Sequence, residues 1–311
     1  MGYAADGTVA SVSDGRGNAT LLSGWKFGVP QQIKFPGTAE APNGATRSVV
    51  IDDNGWIAAL TDENGFTTNY TYDGMGRLAS IQYPQGDSTA WNAVSFALQR
   101  MEAANLGLPA GHWLHSRTQG GHTTQTYLDA LFRPVMAAEV AQGQTDSAVV
   151  TRYDVTGQKA FTSYPSRAVN DVNQALSGTS YTYDALGRPI SMTQASELWP
   201  LVTTTEYIGD LSVRVTNPRG LSTTTRHLAY TGPEYEMPLT ISQPEDVITE
   251  IQRNALGTPL SINRRNGDGS QQLARRYVYD GYRQLCKTIE PESGATVQDY
   301  DAAGNLAWSA S

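Results

Sequence analysis

The sequence predicts an all-β chain: stacked antiparallel β-hairpins in a curved, open strip, with one short helical insertion. Three observations carry this. A Tyr-Asp-x-x-Gly turn motif returns along the chain, stretches rich in Thr and Tyr flank it, and charged helix formers are scarce. Of 311 residues only 17% are charged and 39% hydrophobic. Gly, Thr, Ser, Asn and Gln fill the gap, a composition of strands and turns rather than of a helical bundle. Sixteen Tyr, six Trp and six Phe are too many for a disordered chain.

Residues 1–88 form the first set of hairpins. Their clearest unit is Tyr72-Asp73-Gly74-Met75-Gly76-Arg77-Leu78. Asp at position i with Gly at i+3 marks a type I turn, in which the Asp side chain caps backbone N–H groups and Gly takes a positive φ. Asp52 and Asp73 are 21 residues apart, and Asp62-Glu63-Asn64-Gly65 supplies a turn halfway between them. Tyr70 and Tyr72 fall on one face of a strand, where Leu78 meets them across the hairpin.

Residues 89–126 form an insertion. From Thr89 to Leu106 there is neither Gly nor Pro, and Val94, Ala97, Leu98, Met101, Ala104 and Asn105 recur at near-helical spacing. The spacing predicts a helix from about Asn92 to Asn105, ended near Gly107. Leu108-Pro109-Ala110-Gly111-His112-Trp113 then returns the chain to strand and turn.

Residues 127–311 resume the hairpins, continuous with the first set as one repeat domain. Tyr153-Asp154-Val155-Thr156-Gly157, Tyr183-Asp184-Ala185-Leu186-Gly187-Arg188, Tyr279-Asp280-Gly281-Tyr282-Arg283 and Tyr300-Asp301-Ala302-Ala303-Gly304 repeat the turn. Asn254-Ala255-Leu256-Gly257 and Asp129-Ala130-Leu131-Phe132 are weaker copies, and Phe132 and Arg283 stand at the glycine position. Tyr181 and Tyr277 complete further Tyr-x-Tyr pairs. A lone hairpin is marginal in water, so these must stack on a larger sheet.

Chemistry is thinly represented. A net charge of −8 with eighteen Arg and four Lys argues against a nucleic-acid partner or an anionic membrane surface. No run approaches the ~18–20 apolar residues that membrane insertion needs, and the start has no signal-peptide pattern. One cysteine, Cys286, excludes an internal disulfide and a multi-cysteine zinc site; it reads as a half-buried strand thiol. His112, His115 and His122 form the one histidine cluster, the basis of a metal-dependent enzyme as the least favoured reading. Positions 112 and 115 point to opposite faces of a strand, which is poor for a shared metal. Gly-x-Ser-x-Gly, the phosphate-binding lysine loop and His-Glu-x-x-His do not occur. Asp52-Asp53-Asn54-Gly55 departs from the calcium-loop pattern and reads as turn capping. No catalytic residue, cofactor or metal is therefore expected.

The repeated Tyr-Asp-x-x-Gly-Arg-Leu with its interleaved turns resembles the YD repeat of the Rhs family. The resemblance runs from about Asp14 to Asn305, and connecting stretches such as Ser23-Gly24-Trp25-Lys26, Tyr83-Pro84-Gln85-Gly86-Asp87 and Leu108–Trp113 share it. It implies a spiral of β-hairpins that closes into a hollow shell around a C-terminal toxin. This chain would be a non-catalytic wall segment of that shell. Its partners would be the rest of a longer Rhs polypeptide, the enclosed toxin and a secretion apparatus, with type VI secretion among the routes. It would reside in the bacterial cytoplasm before delivery and be secreted or at the cell surface afterwards. The alternative that the resemblance carries is a cell-surface module that binds a surface glycan or a protein. The family's Asp-Pro-x-Gly-Leu-x-Gly-Gly signature, which bears its self-cleaving aspartates, has no match here, and no distinct toxin domain follows the repeats.

Overall fold

The structure, a computed structural model, describes all residues except 39–41, 87, 230, 231, 233, 234, 302 and 303. The described residues contain strands and turns but no helix. The chain divides into two compact units, residues 1–152 with 162–176, and residues 153–161 with 177–311.

The strands of the first unit are β1 (Gly2–Tyr3), β2 (Val9–Ser13), β3 (Ala19–Lys26), β4 (Val29–Lys34), β5 (Thr46–Ile51), β6 (Ile57–Thr61), β7 (Thr67–Tyr72), β8 (Leu78–Gln82), β9 (Val94–Arg100), β10 (Trp113–Gln119), β11 (His122–Leu128), β12 (Pro134–Ala141) and β13 (Gln144–Tyr153). Each pairs antiparallel with the next, so the sheet is an open meander. A short strand, β14 (Lys159–Ser163), leads on. The second unit contains β15 (Gly178–Tyr183), β16 (Pro189–Gln194), β17 (Leu201–Ile208), β18 (Ser212–Thr216), β19 (Ser222–His227), β20 (Pro238–Gln243), β21 (Val247–Arg253), β22 (Pro259–Asn266), β23 (Gln272–Tyr279), β24 (Leu285–Glu290), β25 (Gly294–Tyr300) and β26 (Leu306–Ala310). From β15 to β26 it is a second open meander of the same kind.

The expected helix over Asn92–Asn105 is not formed. Val94–Arg100 is β9, paired with β8 on one side and fully with β10 on the other. Val94 is buried. Of the six positions whose spacing suggested a helix, only Val94, Ala97 and Leu98 lie in this seven-residue strand, and its Val, Phe and Ser have little intrinsic helix preference. A full ladder with β10 and a short one with β8 outweigh that spacing. The Leu108–Trp113 stretch does return the chain to β-structure, as a turn that ends in β10.

Most of the buried apolar side chains gather at one place in the first unit. Leu114, Tyr127, Met136 and Val150 lie in one cross-strand row over β10–β13, and Ala138 and Ala148 lie two residues along it. Two connections cover this row. The segment before β10 brings Leu108 and His112, and the segment after β14 brings Val169 and Val172, all buried. Backbone bonds hold both: Val172 N–H donates to the Leu106 carbonyl at 2.9 Å, and Ala148 and Ser166 exchange bonds at 2.8 and 2.9 Å. Ser163 Oγ accepts the Val150 N–H at 2.9 Å, which satisfies a donor in the centre of the core.

The second unit is built otherwise. No apolar side chain among its described residues is buried. Its registers sort the strands into two faces. One carries rows such as Tyr207, Val213, Thr225 and Ile241, or Ile251 beside Ile262. The other carries Arg214, Thr224 and Ser242, and Arg226, Thr240, Glu250 and Asn263. This is a single amphipathic layer.

Candidate functional site: repeated turns and tyrosine latches

The motif expected to organise the chain does so through one bonding pattern. In the turn at Asp73, Oδ1 accepts the N–H groups of Met75 and Arg77 at 2.8 and 3.0 Å. The Asp73 carbonyl accepts the Gly76 N–H, and the Asp73 N–H donates to the Arg77 carbonyl, both at 2.9 Å. The same four bonds recur at Asp14, Asp52, Asp62, Asp129, Asp154, Asp184, Asn217, Asn254 and Asp280. At Asp301 the bonds to Gly304 and Asn305 are likewise made. In Arg-bearing copies the guanidinium returns to its own turn: Arg77, Arg133 and Arg188 donate through Nε to Asp73, Asp129 and Asp184 at 2.7, 2.8 and 2.7 Å.

These bonds hold the carboxyls of Asp14, Asp52, Asp73, Asp154 and Asp184 below the usual carboxylate range. For Asp73 and Asp184 the chief cause is the backbone N–H of Arg77 or Arg188, and for Asp154 it is the Thr156 hydroxyl. A carboxylate saturated by donors in this way is a poor general base.

The tyrosine before the Asp has a separate task. Tyr72 Oη donates to the Ile57 carbonyl at 2.9 Å, Tyr183 to Lys159 at 2.8 Å, Tyr279 to Pro259 at 3.0 Å and Tyr300 to Leu285 at 3.0 Å. In every case the acceptor lies five residues after the Asp or Asn of an earlier turn (Asp52, Asp154, Asn254, Asp280). Each phenol thus latches its hairpin to the one before. Where Arg253 replaces the tyrosine, its Nε donates to the Pro238 carbonyl at 3.1 Å instead. Burial pushes the Tyr72, Tyr183 and Tyr279 phenols up. Leu78 faces Tyr72 across its hairpin, as expected, and Leu285 and Leu306 face Tyr279 and Tyr300 in the same way.

The turn glycines do two things. Gly76, Gly157, Gly187 and Gly304 have φ of 80°, 88°, 80° and 83°. Three of them also receive the side chain that closes the earlier turn. A Cβ on Gly76 would stand 2.6 Å from Trp56, one on Gly187 2.5 Å from Gln158, and one on Gly304 3.2 Å from Gln284. Gln158 Nε2 donates to the Gly187 carbonyl at 3.1 Å. Phe132 and Arg283, at the same position, adopt φ of 59° and 68° without being glycine. The latch and this close approach escaped the sequence reading; the constant place of Tyr immediately before Asp was the available signal.

The histidines do not converge. His112 is 2% exposed; its Nδ1 lies 2.7 Å from the Pro109 carbonyl, and its buried Nε2 has no partner. Its ring stands 6.1 Å from that of Tyr127. His115 is exposed on β10, and His122, at the far end of the same hairpin, pairs with Glu139 at 2.7 Å. Among the described residues no three His, Cys, Asp or Glu side chains are grouped to hold a metal. Cys286 is half-buried, with Sγ 3.4 Å from the Val278 carbonyl.

Residues 52–88 match the RHS Repeat family. Teneurin-1 of Gallus gallus is 27% identical over 116 residues, 32% of this chain and 4% of that protein. Teneurin-4 of Mus musculus is 27% identical over 107 residues, 29% of this chain and 4% of that protein. The structure of TcdB2-TccC3 without its hypervariable C-terminal region is similar with a TM-score of 0.51 and 14% identity, over 94% of this chain and 18% of that one. That likeness concerns the fold. The chain spans a small part of the length of the proteins it matches. The matched residues hold the turns at Asp52, Asp62 and Asp73 and the Tyr72 latch, so residues 52–88 carry an RHS repeat, and the same turn bonds recur as far as Asp301.

Proposed function

We propose that this chain is a non-catalytic wall segment of a β-shell that encloses a C-terminal toxin and is delivered with it from a bacterial cell. The observation that carries the reading is the single-layer sheet from β15 to β26, with a Tyr/Ile/Val face, a Thr/Ser/Arg face and, among its described residues, no buried apolar side chain. A wall needs two accessible faces, whereas an enzyme domain needs a core that fixes a site. Toxin, secretion apparatus and target cell belong to this proposal. The test is limited proteolysis of the natural full-length polypeptide that contains this segment. The C-terminal region should resist trypsin in the intact protein and lose that resistance when the repeats are opened by mild denaturant. Cleavage of that region at equal rates in the intact and opened protein would overturn the reading.

A cell-surface binding module is the second reading. Leu198 and Trp199, in the connection from β16 to β17, are strongly exposed. A glycan or protein ligand whose binding is lost in Trp199→Ala, with folding intact, would favour it; no binding by the folded wild type would count against it.

A further inference from the structure

The cover over the β10–β13 row contains a titratable side chain that the fold satisfies at one end only. His112 is 2% exposed. Its Nδ1 lies 2.7 Å from the Pro109 carbonyl. A carbonyl only accepts, so Nδ1 carries the proton and Nε2 is left as a bare acceptor. Nε2 is buried and has no hydrogen-bond partner. A phenylalanine would fill the same place without that cost, so packing alone does not account for a histidine here.

Protonation would give Nε2 a hydrogen to donate, and the closed cover offers it no acceptor. Alternation along the strand puts His112 on the same face as Leu114, with the Tyr127 ring 6.1 Å away. Burial pushes the Tyr127 phenol up, so this packing disfavours charge. The charged groups on the surrounding elements are committed elsewhere or face solvent. On β13, Arg152 Nε donates to the Val172 carbonyl at 2.8 Å, and Asp146 pairs with Arg167 of the covering segment at 2.8 Å. Asp171, whose carboxylate stands against Gly107, accepts the Asn173 N–H at 2.7 Å. Arg100 and Glu102 are exposed, and Asp129 is tied to Arg133. His115, Arg117, His122 and Glu139 lie on the opposite face of the sheet. The two covering segments meet where the Val172 N–H donates to the Leu106 carbonyl, and Leu106 holds φ of 53°. A left-handed leucine is strained, so opening at this point also releases strain.

We propose that His112 is a proton-operated clasp: neutral, it closes the cover over Leu114, Tyr127, Met136 and Val150; protonated, it opens the cover and exposes that row. The open form gains a proton, so acid favours it. The proposal goes beyond the wall reading and does not rest on it, since a wall with a fixed cover would enclose equally well.

The test is native-state hydrogen exchange of the whole chain at about pH 7.5 and about pH 5, read at the Val172 amide and corrected for intrinsic exchange. An exposed histidine titrates near 6.5, so the opening constant should rise about tenfold or more between the two. His112→Asn can keep the bond to Pro109 without a charge, and its Val172 amide should open equally at both, within about twofold. His122→Gln, which removes the exposed pair with Glu139, should retain the wild-type rise. Equal opening of the wild-type Val172 amide at both pH values would overturn the proposal, whatever the variants do. So would a rise that persists in His112→Asn. If that variant does not fold, His112→Phe, which retains a ring beside Tyr127, makes the same comparison with the same two outcomes.

Discussion

At the scale of the residue, the fourth turn position shows how one glycine meets two demands. Gly76 needs φ near 80° and also leaves space for Trp56. Valine there would be strained by its branched Cβ and would collide with an indole held 5.1 Å from the Tyr72 ring. Gly76→Val and Gly187→Val should each lower unfolding free energy by about 2–3 kcal/mol, read as a shift of the urea midpoint. An unchanged midpoint would refute the turn assignment. Arg283 offers the converse. It holds φ of 68° with an exposed side chain, and a left-handed non-glycine residue costs roughly 1–2 kcal/mol. Arg283→Gly should therefore raise stability by up to about 1 kcal/mol once glycine's extra unfolded-state freedom is subtracted. Phe132, strained in the same way, has a reason to stay: its ring stands 5.3 Å from that of Trp113.

At the scale of the element, a hairpin is held by its own ladder and by one phenol from the next. Tyr72→Phe and Tyr279→Phe retain the ring and remove only the bond to Ile57 or Pro259. Each should cost about 1 kcal/mol. A loss no larger than that of Tyr3→Phe, a substitution at an exposed ring outside the motif, would show that the latch contributes nothing. Hairpins were legible in the sequence because their determinants are local: Asp at i, a residue tolerant of positive φ at i+3, and alternating Tyr and Thr in the strands. The Tyr72–Leu78 pairing followed from the same spacing. The latch was not legible, because its acceptor is a backbone carbonyl 15 to 24 residues away, and carbonyls leave no mark in a sequence. The segment Val94–Arg100 failed for a related reason. Its strand state is imposed by β8 and β10, whereas local spacing pointed to a helix.

At the scale of the whole molecule, stability is distributed unevenly. The row Leu114, Tyr127, Met136 and Val150 has side chains on both sides of it, and its backbone is removed from water. The sheet from β15 to β26 has equally complete ladders, but its apolar face retains contact with solvent. Burial of apolar surface supplies most of the free energy that opposes local opening, so equal hydrogen bonding should not give equal protection. In native-state hydrogen exchange, the amides of Val150 and Ala138 should open with a free energy close to that of global unfolding. Those of Ile262, Tyr277 and Thr288 should open at a value lower by at least about 2 kcal/mol. The latches should narrow this gap locally, so Tyr279→Phe should speed exchange in β22 and β23 and leave β12 and β13 unchanged. If β22–β24 exchange as slowly as Val150, the single layer gains its stability from something other than its own buried surface. A partner covering the face would be one source, and the same exchange measured across a dilution series would reveal it, because only protection by a second copy falls with concentration.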